Sequence, residues 1–468
     1  MIFSRILLSF LFIFNCFSYS PPFNFDEEIH WNWNDIDTSK LVFPKNFLWG
    51  VGTSEYQVSG RENCPNANWA FHEDKKNFFG CTTIARGEKS GKACDHWNLY
   101  KKDIELMQEV GVNAYRFSIE WSCIEPKEGE FNEQAIKHYH DLIDALLAKK
   151  IQPMITLHHF THPQWFEEKG AFEKSDNIQY FVRFCKRMFV EYSSKINFWL
   201  TINEPGVLVF QGYHRAVYPP QKNNFHLAGI VTKNLMKAHI EVYKALKALP
   251  DGDKAQIGIV HDIVQFEPYF KGDKLAKFIL HYMNLIFHEA ITDFLVTKKL
   301  NFKIPIFANV EFELADKNEK ILDFIGLNYY SHVLWKPTNP LGSSYREGDI
   351  PTDMPYGIYA EGFYRAIASV ARMGVPIYIT ENGLADSKDD RREIFLKKYL
   401  YTLSKAINDG YDIRGYFYWS LIDNFEWDYG FEKRYGLYEV DYNTFERKQR
   451  KSAQYYIKVL KDYFSSLN

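Results

Sequence analysis

No apolar run in this chain reaches the ~20 residues a membrane-spanning helix needs, and Lys and Arg never gather into a block. The formal net charge is −3 with both signs dispersed, so composition offers nothing to a nucleic acid or an anionic surface. No Gly-x-Gly-x-x-Gly fingerprint follows the first strand-like run, which argues against a doubly wound dinucleotide-binding sheet. The six cysteines show no zinc-ligand spacing. No linker, internal repeat or low-complexity segment interrupts residues 41–468. Asn-x-Ser/Thr is absent throughout, which favours an export route without glycosylation.

What the chain does have is aromatic side chains and buried-strand patterns. Aromatics make up 17%, too many to be anything but largely core. At the N-terminus, Arg5 precedes an apolar stretch from Ile6 to Phe17, and Ser18 and Ser20 supply small residues where a peptidase would cut. Residues 1–20 read as a signal peptide, with an uncleaved anchor as the alternative because Pro21 follows the cut. Cleavage would leave an exported protein with no stable membrane insertion. Residues 21–40 are an aperiodic extension, and 41–468 form the remaining domain. Cys64, Cys81 and Cys94 share one loop-rich stretch, so one bridge among them is expected in an exported protein. Cys123 and Cys185 adjoin strand or helix patterns and read as buried thiols.

From residue 47 short apolar β-rich runs alternate with amphipathic stretches. The runs are 47–54, 114–119, 152–159, 198–205, 255–263, 323–330, 376–383 and 414–423. Helical spacing marks Tyr100 to Val110, Gln134 to Lys149, Ile178 to Lys195, Leu227 to Ala248 and Arg391 to Asn408. Repeated β-then-α order implies a parallel sheet with right-handed crossovers. Eight such units predict a single α/β domain, a (β/α)₈ TIM barrel with long loops on its carboxyl face.

Two of the runs end in a carboxylate followed at once by a chain breaker: Asn203-Glu204-Pro205 and Thr380-Glu381-Asn382-Gly383. Barrel enzymes carry their chemistry at the carboxyl ends of strands, and a carboxylate pair is what glycosidic cleavage needs. The other polar residues at predicted strand ends suit a sugar: Gln57, Arg116, His158, His159, Asn203, Asn328, Tyr329, Tyr330, Trp419, Glu426 and Trp427. Hydroxyls need convergent donors and acceptors, and a pyranose face needs an indole.

These runs resemble glycoside hydrolase family 1, the β-glucosidase family of retaining glycosidases. The matching stretches are Phe47-Leu48-Trp49-Gly50 with Tyr56-Gln57, Asn113-Ala114-Tyr115-Arg116-Phe117-Ser118 and Leu157-His158-His159-Phe160. They continue with Thr201-Ile202-Asn203-Glu204-Pro205, Gly326-Leu327-Asn328-Tyr329-Tyr330 and Ile379-Thr380-Glu381-Asn382-Gly383. Trp419-Ser420-Leu421-Ile422-Asp423-Asn424-Phe425-Glu426-Trp427 closes the series. The resemblance implies that Glu381 is the nucleophile, kept charged and in place by Arg116 and the Tyr330 hydroxyl. It makes Glu204 the acid/base, with Asn328 in support and a carboxyl separation of about 5 Å. Asn203 is expected at the sugar 2-hydroxyl, and Gln57, His159, Trp419, Glu426, Trp427 and Tyr435 around the glycone, with Trp419 as the floor. His158 reads as packing.

Three departures from the family pattern concern Ser59, Phe160 and Tyr356. The last stands on the aglycone side, where Trp is common. The implied substrate is a small β-glycoside or oligosaccharide, and no metal or organic cofactor is implied. A 6-phospho-β-glycosidase would use Lys433 and Tyr435, but Glu426 would repel the phosphate. A non-catalytic sugar- or protein-binding scaffold of the same fold would be expected to lose one of the two glutamates, and both are present.

Overall fold

A computed structural model describes residues 28–77, 80–339 and 344–467. The signal-peptide reading of 1–20 and the first part of the extension lie outside the described residues. The chain divides into a short N-terminal unit ending at Ile36 and a large unit from Asp37 onward. In the first, Trp33–Asp35 forms one 3₁₀ turn, with the Asn32 side chain accepting from the Asn34 amide.

The large unit is a closed barrel of eight strands: β1 (Leu48–Gly52), β2 (Ala114–Ser118), β3 (Gln152–Thr156), β4 (Phe198–Asn203), β5 (Gln256–Asp262), β6 (Phe324–Asn328), β7 (Ile377–Asn382) and β8 (Ile413–Trp419). Every neighbouring pair is parallel, and β1 closes on β8 from Leu48↔Gly415 to Gly52↔Trp419. Each predicted run coincides with one strand, β8 beginning one residue before its run at Ile413. The ladders stop one to four residues short of most predicted carboxyl ends, because the apolar burial continues after neighbouring backbones diverge. His158, His159, Glu204, Tyr329 and Tyr330 therefore sit just beyond their strands rather than on them.

Ala114, Met154, Leu200, Val260, Phe324, Tyr378 and Phe417, one from each of β2 to β8, meet inside the barrel and plug it. That layer fixes which alternate residues point inward. The helices bury one stripe each against the outside of the barrel. Ile178–Tyr192 turns Ile178, Phe181, Phe184, Cys185, Met188, Phe189 and Tyr192 inward, at spacings of three and one that follow the 3.6-residue turn. Each fully buried large side chain on such a stripe contributes about 1.5–3 kcal/mol relative to exposure. Helix starts are defined locally: Asn132 accepts from the Gln134 and Ala135 amides, and Asn224 from Leu227. Among the described residues no helix is long and apolar enough to cross a membrane.

The expected bridge among Cys64, Cys81 and Cys94 is absent: all three thiols are free. Cys81 is exposed, Cys94 Sγ is engaged with the Asp423 carbonyl at 2.8 Å, and Cys64 lies against Cys123 instead. Three-dimensional proximity here follows the barrel's loop order rather than spacing along the chain.

Candidate active site

The inward side chains at the carboxyl ends of the strands converge on one hydrogen-bonded cluster. Arg116 on β2 is its hub and is fully buried. Its guanidinium donates to Glu381 Oε1, to Asn203 Oδ1 at 2.5 Å and to Thr156 Oγ1 at 3.1 Å. The Tyr330 hydroxyl donates to the other Glu381 oxygen at 2.6 Å. Both oxygens of Glu381 are thus held by separate partners, one of them a buried cation. Charge-assisted bonds of this kind fix a rotamer as well as a charge.

The backbone at Glu381 is irregular in a useful way. Register shifts on β7 between Ile379 and Asn382 break the alternation of faces. Thr380 can therefore donate to Asn328 Oδ1 at 2.7 Å while Glu381, the next residue, also faces the barrel mouth. Gly383 then has to be glycine, since a Cβ there would stand 1.7 Å from the Trp419 carbonyl oxygen.

Glu204 follows β4 in the left-handed region, with φ 44° and ψ 62°. A non-glycine residue there costs about 1–3 kcal/mol, which the surrounding structure must hold in place. Its amide donates to the Val260 carbonyl, and its carboxyl accepts from Asn328 Nδ2 at 2.7 Å. Burial, and then the Glu381 charge, push this carboxyl well above the usual carboxylate range; Asp262 pushes the same way.

Asn203 Oδ1 accepts from Arg116, so its Nδ2 must be the donor toward His159 Nε2 at 3.2 Å. That leaves the proton of a neutral His159 on Nδ1, which is buried and has no protein partner. Burial and the adjacent guanidinium hold His159 far below the ordinary imidazole range, so it is neutral. Gln57 donates from Nε2 to Glu426, Asn424 and the Phe425 carbonyl, each at 3.1 Å, leaving its buried Oε1 without a partner. Loss of solvation, then the Glu381 charge, pushes Glu426 up to about 8.

Rings complete the wall. Trp419 and Trp427 lie near-parallel to the His159 ring at 5.9 and 6.2 Å. Trp419 packs with Tyr435, which the half-buried Tyr330 and Met354 flank. Tyr356 reaches the same cluster through a 3.1 Å contact between its hydroxyl and that of Tyr435. The two glutamates and the residues that the resemblance placed around them thus belong to one connected mouth, whereas Tyr329 is buried behind it with its hydroxyl donating to the Tyr359 carbonyl at 3.1 Å. Lys433 does not join it: its ammonium is committed to Glu432 at 2.5 Å and the Asp353 carbonyl at 2.7 Å. His158 packs behind the site, edge-on to Phe172 and Phe181.

One member escaped the sequence reading. Asp262, the last residue of β5, lies two positions beyond the inward Val260 and is only 6% exposed, with Oδ1 lacking any partner. Burial and the Glu381 charge raise its carboxyl well above the ordinary range. The only signal was a carboxylate inside an apolar run that continues to Ile263, with no breaker after it to mark a strand end.

Proton transfer and carboxylate attack on a hydroxyl-rich ligand are what such a mouth can perform, and the fold and site together define a barrel glycosidase. The model of glycosyl hydrolase family 1 matches residues 39–463. Among curated proteins, a 1,4-β-D-glucan glucohydrolase of Thermotoga neapolitana is 33% identical, covering 90% of this chain and 98% of its own. β-Glucosidase A of Thermotoga maritima is 34% identical over the same shares. Among solved structures, a β-glycosidase from Pyrococcus horikoshii is 36% identical with a TM-score of 0.78, covering 90% of this chain and 96% of its own. The β-glucosidase from Thermotoga maritima in complex with glucoimidazole is 31% identical with a TM-score of 0.79, covering 90% and 99%. The chain belongs to glycosyl hydrolase family 1, and is a retaining β-glycosidase of the β-glucosidase type.

Proposed function

We propose that this chain removes terminal non-reducing β-D-glucosyl residues by double displacement, with Glu381 as nucleophile and Glu204 as acid/base. The observation that carries the assignment is the asymmetry between the two carboxyls. Glu381 has both oxygens held by Arg116 and Tyr330. Glu204 has only a neutral amide on its carboxyl, and its surroundings favour the proton. Two carboxyls with environments pushed apart in this way divide the labour of acid and nucleophile.

In the first step Glu381 attacks the anomeric carbon while Glu204 gives its proton to the departing oxygen. The glycosyl ester cancels the Glu381 charge, and with it the second largest cause of the raised Glu204 pKa. Glu204 then releases a proton more readily and can take one from the attacking water. Asn203, fixed by Arg116, is the amide for the 2-hydroxyl, a contact that strengthens as the ring flattens. Gln57 Oε1, His159 Nδ1 and Glu426 offer the remaining hydroxyl partners, over Trp419. We read the chain as exported, on the strength of Arg5, Ile6 to Phe17 and Ser18 to Ser20.

The test is a set of initial rates on aryl β-glucoside, β-galactoside, β-fucoside, β-mannoside and 6-phospho-β-glucoside. Hydrolysis of the glucoside with none of the phosphosugar is expected. Activity confined to the phosphosugar would overturn the reading of Glu426, and inactivity of the folded protein on every substrate would favour a binding scaffold.

A further inference from the structure

Cys64 and Cys123 are 59 positions apart in the sequence, yet their sulfurs lie 3.1 Å from each other. Cys64 caps the carboxyl end of the helix Glu55–Asn63, which leaves β1 and carries Gln57 into the active site. Cys123 sits in the short helix Trp121–Ile124 that follows β2, the strand bearing Arg116. Both belong to loops on the carboxyl face of the barrel, and both are buried, at 0% and 8% exposure. Cys123 Sγ also lies 3.3 Å from the Asn63 carbonyl, so it is seated against the very end of the Gln57 helix. Among the described residues the other thiols are differently placed: Cys94 is engaged with Asp423, Cys185 faces the barrel from its helix and Cys81 is exposed.

We propose that Cys64 and Cys123 are a disulfide-forming pair, a covalent modification site that ties the first barrel loop to the second. The co-reactant is a small-molecule disulfide such as oxidised glutathione. One cysteine thiolate attacks it and releases one reduced thiol. The second cysteine, as thiolate, then attacks the mixed disulfide and releases the other. The protein loses two protons and two electrons overall, and the small disulfide gains both. Neither thiol is activated in the folded state, where burial holds Cys64 far above the ordinary thiol range. The bond is therefore made while the loops are still open during folding, and afterwards resists external reductant. The oxidising compartment that the export reading provides would supply the co-reactant, but the pairing itself rests only on where the two sulfurs lie.

The experiment uses the full chain refolded in a glutathione redox buffer, blocked with iodoacetamide under denaturing conditions and digested without reduction. The expected product is one cross-linked species joining the Cys64 and Cys123 peptides, two hydrogens lighter than their sum, with Cys16, Cys81, Cys94 and Cys185 alkylated. In a thermal melt, denaturing pre-treatment with reductant lowers the midpoint of the wild type and leaves that of Cys123→Ser unchanged. Alkylation of both Cys64 and Cys123 in the oxidised sample overturns the proposal, as does a link from Cys64 to Cys81 or Cys94. The peptide map decides the matter even if Cys123→Ser fails to fold.

Discussion

Replacing Glu204 by Gln removes one ionisable proton and almost nothing else. The side-chain oxygen that accepts from Asn328 Nδ2 at 2.7 Å survives as the amide oxygen, and the left-handed backbone at 204 is no more strained by Gln than by Glu. The fold should therefore be kept, as circular dichroism would show. A positioned general acid is worth about 100- to 10,000-fold, or ~3–5 kcal/mol of barrier. That full loss should appear with cellobiose, whose departing alkoxide cannot leave without a proton. With 2,4-dinitrophenyl β-glucoside the leaving group needs no proton, so formation of the glycosyl-enzyme should stay within a few-fold of wild type. Stopped-flow absorbance should then show a burst of phenolate followed by slow turnover, because the second step has lost its base. The slope of log rate against leaving-group pKa should steepen in the variant. Equal losses on cellobiose and on the dinitrophenyl glucoside, with no burst, would refute the acid role of Glu204.

Two further substitutions probe the charges around that proton. In Asp262→Asn a buried carboxyl that raises Glu204 becomes neutral. The ionised form of Glu204 is then less opposed, its pKa falls, and the alkaline limb of kcat/KM moves to lower pH; an unmoved limb would count against the coupling. Glu426 is pushed up to about 8, so its negative charge grows as pH rises through 8. The wild-type KM for an aryl glucoside should change near that pH, and Glu426→Gln should abolish the change; persistence in the variant would assign it elsewhere.

The eight strands were legible because barrel strands are buried on both faces and read as continuous apolar runs, so Ala114 to Ser118 or Phe324 to Asn328 announces itself without alternation. Glu204 and Glu381 were legible because each ends such a run at a breaker. The strand ends were not, since burial outlasts the ladder and carries His158 to Phe160 past β3 in an apolar setting. Asp262 hid inside a run that continues to Ile263, where its acid reads as one polar residue in a strand rather than an inward group above Val260. The meeting of Cys64 with Cys123 depends on which loops share a face of the closed barrel, a property that neither spacing nor composition encodes.

The most direct test of the two-carboxylate account is to trap the intermediate with 2-deoxy-2-fluoro-β-D-glucosyl fluoride and locate the label by mass spectrometry of the peptides. The account predicts time-dependent inactivation and a single 2-deoxy-2-fluoroglucosyl ester on Glu381. A label on Glu204, on Asp262 or on no residue at all in an enzyme that still turns over β-glucosides would contradict it.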